Sequence, residues 1–212
     1  MINRNDTLIS EETLHQGVMI LGEIDADLRR ITKKLGDPPL WVRPTGFDTL
    51  VQIILEQQVS LASSQAVYNR LTKNIDKLTP AVMLRFKDEE LKDFGFSRQK
   101  SGYCRGMATV ILDGNLRLEE LEGKSDTEVR SELQNLKGIG IWSADIYLLM
   151  ALRRPNVLPE SDLALYIAMQ EIKSLPQKPT PEEFQNLGKL WKPWRSVGAR
   201  ILWQYYLNRK QF

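Results

Sequence analysis

The feature that most constrains the fold is a pair of glycines, Gly138 and Gly140, placed between two helix-like segments. One segment ends near Leu136, and the next begins near Ile141. Glycine adopts left-handed backbone angles at little cost and lets another backbone approach closely. The spacing therefore predicts a tight hairpin between two helices. Its exposed amides, at the N-terminus of the second helix, are suited to bind a phosphate or another anion.

The rest of the chain is predicted to be helical throughout. Apolar residues recur at three- and four-residue steps from Thr13 to Lys34, which predicts one amphipathic helix. A second helix is predicted from Phe47 to Gln57, and further helix starts are marked at Ser60, Thr79, Ser125 and Thr180. No strand-like alternation persists anywhere. The sequence predicts an all-α fold of about ten helices.

Composition sets broad limits on what the protein can be. With 212 residues, of which 42% are hydrophobic, the chain suits one sizeable domain or two joined lobes. The net charge of +2 neither requires nor excludes nucleic-acid binding. A single cysteine, Cys104, excludes a disulfide framework and a cysteine-held iron–sulfur cluster, and a single histidine, His15, argues against a histidine-rich metal site. No signal peptide or membrane span is recognised, so a soluble intracellular protein is expected.

Two further motifs accompany the double glycine. The hairpin reads L-x-G-I-G-x-W-x-A, and Asp162, within S-D-L, follows Trp142 by 20 positions. Near the C-terminus, W-x-P-W-R-S begins at Trp191. Together these motifs resemble the helix-hairpin-helix DNA glycosylase superfamily, in its alkylation-repair branch typified by 3-methyladenine DNA glycosylase II. The resemblance covers roughly residues 14–207 and fits compact members that lack an N-terminal β-rich domain.

The resemblance implies an architecture of two helical lobes with a DNA-binding cleft between them. The hairpin-bearing lobe is expected at about residues 46–155. The second lobe is expected to combine about residues 13–45 with residues 156–212. Residues 1–212 would then form a single glycosylase unit that works as a monomer on double-stranded damaged DNA.

Asp162 is the candidate catalytic residue that the resemblance implies. Cleavage of an N-glycosidic bond passes through an oxocarbenium-like transition state, which a nearby carboxylate stabilises. A purine alkylated at N3 or N7 already carries positive charge, so it leaves without prior protonation and one carboxylate suffices. The implied activity is excision of cationic alkylpurines such as 3-methyladenine. Asp162 also stands where a helix begins, and most aspartates at such positions only cap the helix.

Two tryptophans are candidate base-binding residues by the same resemblance. Trp142 and Trp203 match positions that line the base pocket, where an indole face attracts a cationic purine. Trp191 and Trp194 are interpreted as packing residues. Bifunctional glycosylases carry a lysine in place of Trp142, and its amine forms a Schiff base with the sugar. Because tryptophan cannot do this, a monofunctional enzyme without lyase activity is predicted.

DNA binding is assigned to the hairpin and to one glutamine. The main-chain amides around Gly138 and Gly140 are expected to bind phosphate, with Ser143 close by and Lys137 adding a charge. Gln58 matches the family position that fills the space left by a flipped base. Adjacent glutamines at a helix junction otherwise indicate only a solvated turn, and Arg98 and Lys100 are likewise interpreted as solvated charges.

No organic cofactor is expected. In the family the hairpin carbonyls also hold a monovalent cation, Na⁺ or K⁺, and by position these would be the carbonyls of Gln134, Leu136 and Ile139. Three alternatives stay open at this point: a non-catalytic DNA-binding protein that keeps the hairpin, an oxidised-purine glycosylase, and a helical scaffold for another protein. The missing lysine argues against the oxidised-purine glycosylase, and the joint presence of hairpin, tryptophan and aspartate argues against the scaffold.

Overall fold

The computed structural model describes residues 8–212, and in this range the chain forms helices and no strand, which confirms the predicted all-α class. The α-helices are α1 (Glu11–Ile24), α2 (Ala26–Leu35), α3 (Phe47–Glu56), α4 (Leu61–Thr72), α5 (Pro80–Arg85), α6 (Asp88–Phe94), α7 (Arg98–Leu112), α8 (Asp126–Gln134), α9 (Ile141–Ile146), α10 (Leu163–Ile172), α11 (Pro181–Leu187) and α12 (Arg195–Asn208). Short 3₁₀ turns join some of them, and α9 continues as a π-helical segment, Tyr147–Ala151. Within residues 8–212, no helix combines the length and the hydropathy required to cross a bilayer.

Helix starts lie where the sequence signals placed them. The side chains of Ser60, Thr79, Ser125 and Thr180 each accept a hydrogen bond from the amide three residues ahead. At Ser125 and Thr180 a glutamate completes the capping box by accepting a hydrogen bond from the cap residue's own amide. These short-range signals therefore fix the starts of α4, α5, α8 and α11.

The single helix predicted from Thr13 to Lys34 is wrong, because the chain breaks at Asp25 into α1 and α2. Asp25 is extended (φ −134°, ψ 106°), and its carboxylate accepts hydrogen bonds from two amides of α2. The same carboxylate accepts hydrogen bonds from the Lys173 ammonium at 2.8 Å and the Trp191 indole at 2.9 Å. Burial opposes ionisation of Asp25, but these hydrogen bonds prevail and lower its pKa.

The chain divides into two compact units, which we describe separately. The hairpin unit is Arg43–Tyr147, and the terminal unit combines the chain up to Val42 with Leu148–Phe212. The sequence had placed the first of these at about residues 46–155. The hairpin unit holds α3 to α9, and the terminal unit holds α1, α2 and α10 to α12.

In the hairpin unit, α3 is the central element and packs against α4, α7 and α9. Its predicted apolar face is buried, as shown by Leu50, Val51 and Ile54, which have no exposed surface. At the start of α3 the Gly46 amide donates a hydrogen bond to the Tyr147 hydroxyl at 3.0 Å. With its N-terminus held in this way, α3 carries its C-terminal end, Glu56 and Gln57, to the hairpin.

In the terminal unit, α12 is buried along most of its length and packs against α1, α2 and α10. Its Arg200 side chain is fully buried and donates hydrogen bonds to the carbonyls of Leu40, Leu149 and Ser196. Burial lowers the pKa of Arg200 to about 10, which still leaves the group charged at neutral pH. Gln204 donates to the carbonyls of Leu35, at the end of α2, and Asp37, so together with Arg200 it holds the segment that leads to Trp41.

Candidate functional site

The two helices of the predicted hairpin are α8 and α9, and six residues join them. The Ile139 amide donates to the Leu136 carbonyl at 3.0 Å, and the Ala144 amide donates to the Gly140 carbonyl at 3.0 Å. The first bond closes the turn, and the second starts α9 with Gly140 as its N-cap. The link therefore has the hairpin form that the double glycine predicted.

Gly138 requires glycine for two reasons. Its φ of +94° lies in the left-handed region that other residues rarely adopt. A Cβ atom at this position would also lie 2.3 Å from the Tyr103 ring, which packs directly beneath the turn. Gly138 is thus a structural residue of the hairpin.

Gly140 is different, because its own backbone does not require glycine. Its φ of −97° and ψ of −176° are extended values that any residue adopts. A Cβ atom here would meet nothing within 4 Å. The glycine therefore leaves open space beside the first amides of α9, where another molecule's backbone can approach closely.

Gln57 fastens the hairpin to the end of α3. Its side-chain amide donates to the Gly138 carbonyl at 2.8 Å and to the Ser143 hydroxyl at 2.9 Å. Ser143 is buried, with only 2% of its surface exposed. A phosphate contact by the Ser143 hydroxyl, as the sequence suggested, does not fit this arrangement, because the hydroxyl faces Gln57 inside the protein.

Lys100 is not the solvated charge that the sequence suggested. Its ammonium group donates to the carbonyls of Leu55 at 2.7 Å and of Gln57 at 2.9 Å, at the C-terminal end of α3. A cation is favourable there because the end of a helix carries partial negative charge. Burial lowers the pKa of Lys100. Arg98, by contrast, is exposed as predicted.

Gln58 projects from the turn between α3 and α4. It is exposed, and its φ of +58° places a non-glycine residue in the left-handed region. Together with Gly138, Ile139 and Gly140 it lines a surface depression of about 320 Å³, whose other walls are Gln57, Gln99, Lys100 and Tyr103. The structure thus brings the proposed wedge residue and the double glycine together. Lys137 is exposed at the hairpin but does not line this depression.

The carbonyls proposed for a cation lie in the same turn. One lone pair of the Leu136 carbonyl accepts the Ile139 amide, and a second lone pair stays on the oxygen. The Ile139 side chain is buried beneath the turn. Carbonyl oxygens are hard ligands that suit Na⁺ or K⁺, so the chemistry of the turn fits such an ion. Within residues 8–212 no group of three or more His, Cys, Asp or Glu side chains is placed to hold a metal.

Trp142 lies in the first turn of α9 and is half-buried.

Two carboxylates elsewhere in the hairpin unit have structural partners. Asp145 forms a salt bridge with Arg130 at 2.7 Å, and Glu56 forms a two-pronged pair with Arg43. These pairings give both carboxylates a structural role.

In the terminal unit, Asp162 begins α10. Its side chain accepts a hydrogen bond from the Leu165 amide at 3.0 Å, and the residue is 8% exposed. The preceding Ser161 has a φ of +62°, and its amide donates to the Tyr166 hydroxyl. A non-glycine residue in this region costs about 1–2 kcal/mol. The carboxylate is therefore a helix cap, as the simpler interpretation held, and is oriented by a strained turn.

Trp203 has an aromatic neighbour that the sequence interpretation missed. The Trp41 and Trp203 rings meet edge to face, with centroids 6.2 Å apart and planes at 79°. Both residues are half-buried, and Trp41 has a φ of +46°. The residue before Trp41, Leu40, is held through its carbonyl by Arg200, more than 150 residues later in the chain. Trp191 is fully buried and Trp194 packs on Gly17, as expected of packing residues.

Cys104 offers no nucleophile. The residue is fully buried, and burial raises the pKa of its thiol to about 12.

Residues 51–194 match the HhH-GPD superfamily of base excision DNA repair proteins, and the chain belongs to this superfamily. The matched range contains the hairpin, Trp142 and Asp162. The predicted family and the predicted class, a DNA repair glycosylase, are thereby confirmed. Because base excision repair acts on DNA, DNA as the partner is confirmed as well.

Individual relatives agree with this placement. The chain is 29% identical over 198 residues to the alkylbase DNA glycosidase-like protein mag2 of Schizosaccharomyces pombe, covering 90% of this chain and 93% of that protein. It is 26% identical to DNA-3-methyladenine glycosylase 1 of the same yeast, covering 87% and 84% respectively. The structure of S. pombe 3-methyladenine DNA glycosylase (Mag1) in complex with abasic DNA superposes with a TM-score of 0.84 at 24% identity, covering 89% of this chain and 95% of that one.

Proposed function

We propose that the protein is a monofunctional DNA glycosylase, active as a monomer, that excises cationic alkylpurines such as 3-methyladenine from double-stranded DNA. Hydrolysis of the N-glycosidic bond would leave an intact abasic site. The observation that carries this proposal is the buried Asp162 carboxylate, which a backbone amide and a strained turn hold in one orientation. The names of the relatives, which include alkylbase and 3-methyladenine glycosylases, support the substrate class.

Asp162 acts by stabilising positive charge on the sugar. As the bond to the base lengthens, the anomeric carbon gains oxocarbenium character, and a fixed carboxylate lowers the energy of that state. Water then adds to the anomeric carbon and loses a proton. The base leaves as a neutral purine because alkylation had already made it cationic. No side chain has to protonate it.

Indole rings bind the base. Trp203 presents its ring beside Trp41, and Trp142 is half-buried in α9. A cation over an indole face gains about 0.5–2 kcal/mol, more when water is excluded. A neutral purine lacks this term, so the rings favour the alkylated base over the undamaged base.

The hairpin binds the DNA backbone. The open space at Gly140 allows a phosphate to reach the first amides of α9, while Gly138 keeps the turn in shape. Lys137 adds a positive charge at the exposed tip. The carbonyls of Gln134, Leu136 and Ile139 would hold a monovalent cation that bridges to phosphate. Gln58, exposed beside the same depression, fills the space that the flipped nucleotide leaves.

The absence of lyase chemistry follows from Trp142. An amine at this position would attack the sugar, whereas an indole cannot. Lys100, the amine that lines the depression at the hairpin, is held by two carbonyls of α3.

The test is base release from a duplex that contains one methylated purine. Wild-type protein should release the base and leave the strand uncut until alkali is added. Borohydride should trap no covalent adduct. An adduct would show lyase chemistry, and binding without any base release would favour the non-catalytic alternative.

A further inference from the structure

A cluster of positive charge lies in the terminal unit and includes none of the residues assigned a role above. We call it the basic patch: Arg29, Arg30, Lys33 and Lys34 on α2, with Arg209 after α12. These side chains surround an open cavity of about 760 Å³. Five cations exceed the net charge of +2 of the whole chain, so the remainder of the protein is net negative. The patch alone therefore carries more positive charge than the net charge of the whole chain.

Acidic side chains neutralise the patch only in part, since the Glu171 carboxylate interacts with Tyr205 in the cavity wall. Within residues 8–212, no carboxylate forms a salt bridge with Arg29, Lys33, Lys34 or Arg209. Arg30 approaches Asp27 at 3.7 Å, but that carboxylate is already bound by Lys173 at 2.9 Å. Like charges held this close repel one another, and a polyanion relieves the repulsion.

Aromatic rings form part of the cavity wall. Tyr205 and Phe212 line it, with ring centroids 5.0 Å apart. The Lys34 ammonium lies 4.2 Å from the centroid of the Phe212 ring, which is 45% exposed. Cations beside an exposed aromatic ring suit a nucleic-acid strand, because phosphates pair with the cations and sugars contact the ring.

The placement of the cations also suits a phosphodiester chain. Arg29 and Lys33, like Arg30 and Lys34, are four residues apart, so each pair stands on one face of α2 about 6 Å apart. Guanidinium groups bind phosphate oxygens through two parallel hydrogen bonds. An acidic peptide would satisfy the charge but has no use for the rings.

We infer that the basic patch is a second nucleic-acid contact, which binds the phosphodiester backbone independently of the hairpin. It adds sequence-independent affinity and takes no part in the cleavage step. The inference goes beyond the proposed function and does not depend on any base being released.

The test compares two triple variants with the same change in charge. Arg29→Gln, Arg30→Gln and Lys33→Gln remove three cations from the patch. Lys178→Gln, Lys189→Gln and Lys192→Gln remove three exposed cations elsewhere in the terminal unit. Lys34 and Arg209 are left intact because they pack on the Phe212 and Tyr206 rings. Circular dichroism melts should show that both variants fold.

Affinity for an undamaged thirty-base-pair duplex is then measured by fluorescence anisotropy over a series of sodium chloride concentrations. Each phosphate contact contributes about 0.9 to the slope of log affinity against log salt. The patch variant should bind more weakly, with a slope flatter by up to about 2.7. The control variant should keep the wild-type slope. Equal slopes for the two variants would overturn the inference.

Two further readouts separate this result from failure of the proposed function. The single-turnover rate of base release at saturating protein should match wild type in the patch variant. Hydrogen–deuterium exchange in peptides from α2 and from residues 205–212 should slow when the duplex is added to the wild-type protein. If poly-glutamate protects these peptides and the duplex does not, the patch binds an acidic protein, and the inference is wrong.

Discussion

The hairpin tip and the turn before Asp162 both contain a left-handed backbone angle, but a different type of residue adopts it in each. Both present a short irregular segment at the start of a helix. At the hairpin a glycine takes the left-handed angle, and Gln57 and Tyr103, distant in sequence, hold the turn. At the other turn a serine, Ser161, takes the left-handed angle, and the turn forms hydrogen bonds with Leu165 and Tyr166, a few residues later.

The difference teaches where strain is kept. The hairpin relieves it with Gly138, as suits a surface that only has to present amides. The turn before Asp162 retains it, as Gln58 and Trp41 also do. Residues held at such angles cluster at functional sites, because the surrounding structure fixes them in one conformation. Five non-glycine residues have such angles, and three of them, Trp41, Gln58 and Ser161, lie at or beside positions proposed to contact the nucleotide, whereas Arg153 and Ser174 have no assigned role.

Gly138→Ala should have the largest effect on the hairpin. The added methyl group would lie 2.3 Å from the Tyr103 ring at a φ of +94°. We expect a loss of about 3 kcal/mol in the free energy of unfolding, from strain and overpacking together. Urea denaturation measures it, and a midpoint shared with wild type would contradict the assignment.

Gly140→Ala is the matched control for Gly138→Ala. Its methyl group meets open space, so stability should change by less than about 0.5 kcal/mol. DNA affinity should nevertheless fall, because the methyl group occupies the space where phosphate approaches. Unchanged affinity would show that both glycines serve only the fold.

Asp25→Asn tests the ion pair between Asp25 and Lys173 in the terminal unit by its effect on the free energy of unfolding. The amide keeps the helix cap but removes the charge that pairs with Lys173, and we expect a loss of about 2 kcal/mol at neutral pH. The folded pKa of Asp25 lies below 3.8, so its ionised form stabilises the protein above that pH. This contribution is lost as the pH falls through the lowered pKa. Wild type should therefore lose its advantage over the variant below about pH 4.

Gln57→Glu tests whether the stability of the hairpin depends on the hydrogen bonds that the Gln57 side-chain amide donates. The substituted carboxylate is isosteric but faces the Gly138 carbonyl without a proton to donate. Stability should fall by about 1–3 kcal/mol, with weaker DNA binding. Gln58→Glu, one residue later and exposed, should leave the unfolding midpoint unchanged. Equal unfolding midpoints for the two variants would show that the Gln57 side chain does not stabilise the hairpin.

Ser161→Gly should have the smallest effect on stability. Glycine relieves the left-handed strain but adds freedom to the unfolded chain, so stability should change by less than about 1 kcal/mol. If the strained turn orients Asp162, base release should slow although the protein is no less stable. A base-release rate equal to that of wild type would show that the backbone strain at Ser161 does not contribute to catalysis.

Much of the fold followed from local signals. Caps at Ser125 and Thr180, and the double glycine, act within a few residues, so the sequence shows them directly. The break at Asp25 was missed because Lys173 and Trp191 stabilise it from far along the chain. Lys100 was misread for the same reason, since its partners lie more than 40 residues away.

The candidate site followed from the sequence only in part. The turn at Gly138 and the helix start at Asp162 were predicted because their motifs are local, and their functional roles stay predictions. Trp41 was missed because its place beside Trp203 depends on contacts from α12. Ser143 was misassigned because its partner, Gln57, belongs to another helix.

The most direct measurement is the single-turnover rate of base release by Asp162→Asn, set against Asp25→Asn. Both variants exchange a helix-capping carboxylate for an amide that caps equally well, so they differ only in which charge is lost. We predict that Asp162→Asn slows release of 3-methyladenine by about 10²–10³-fold with DNA affinity unchanged, whereas Asp25→Asn keeps the wild-type rate. Equal rates for Asp162→Asn and wild type would contradict the account.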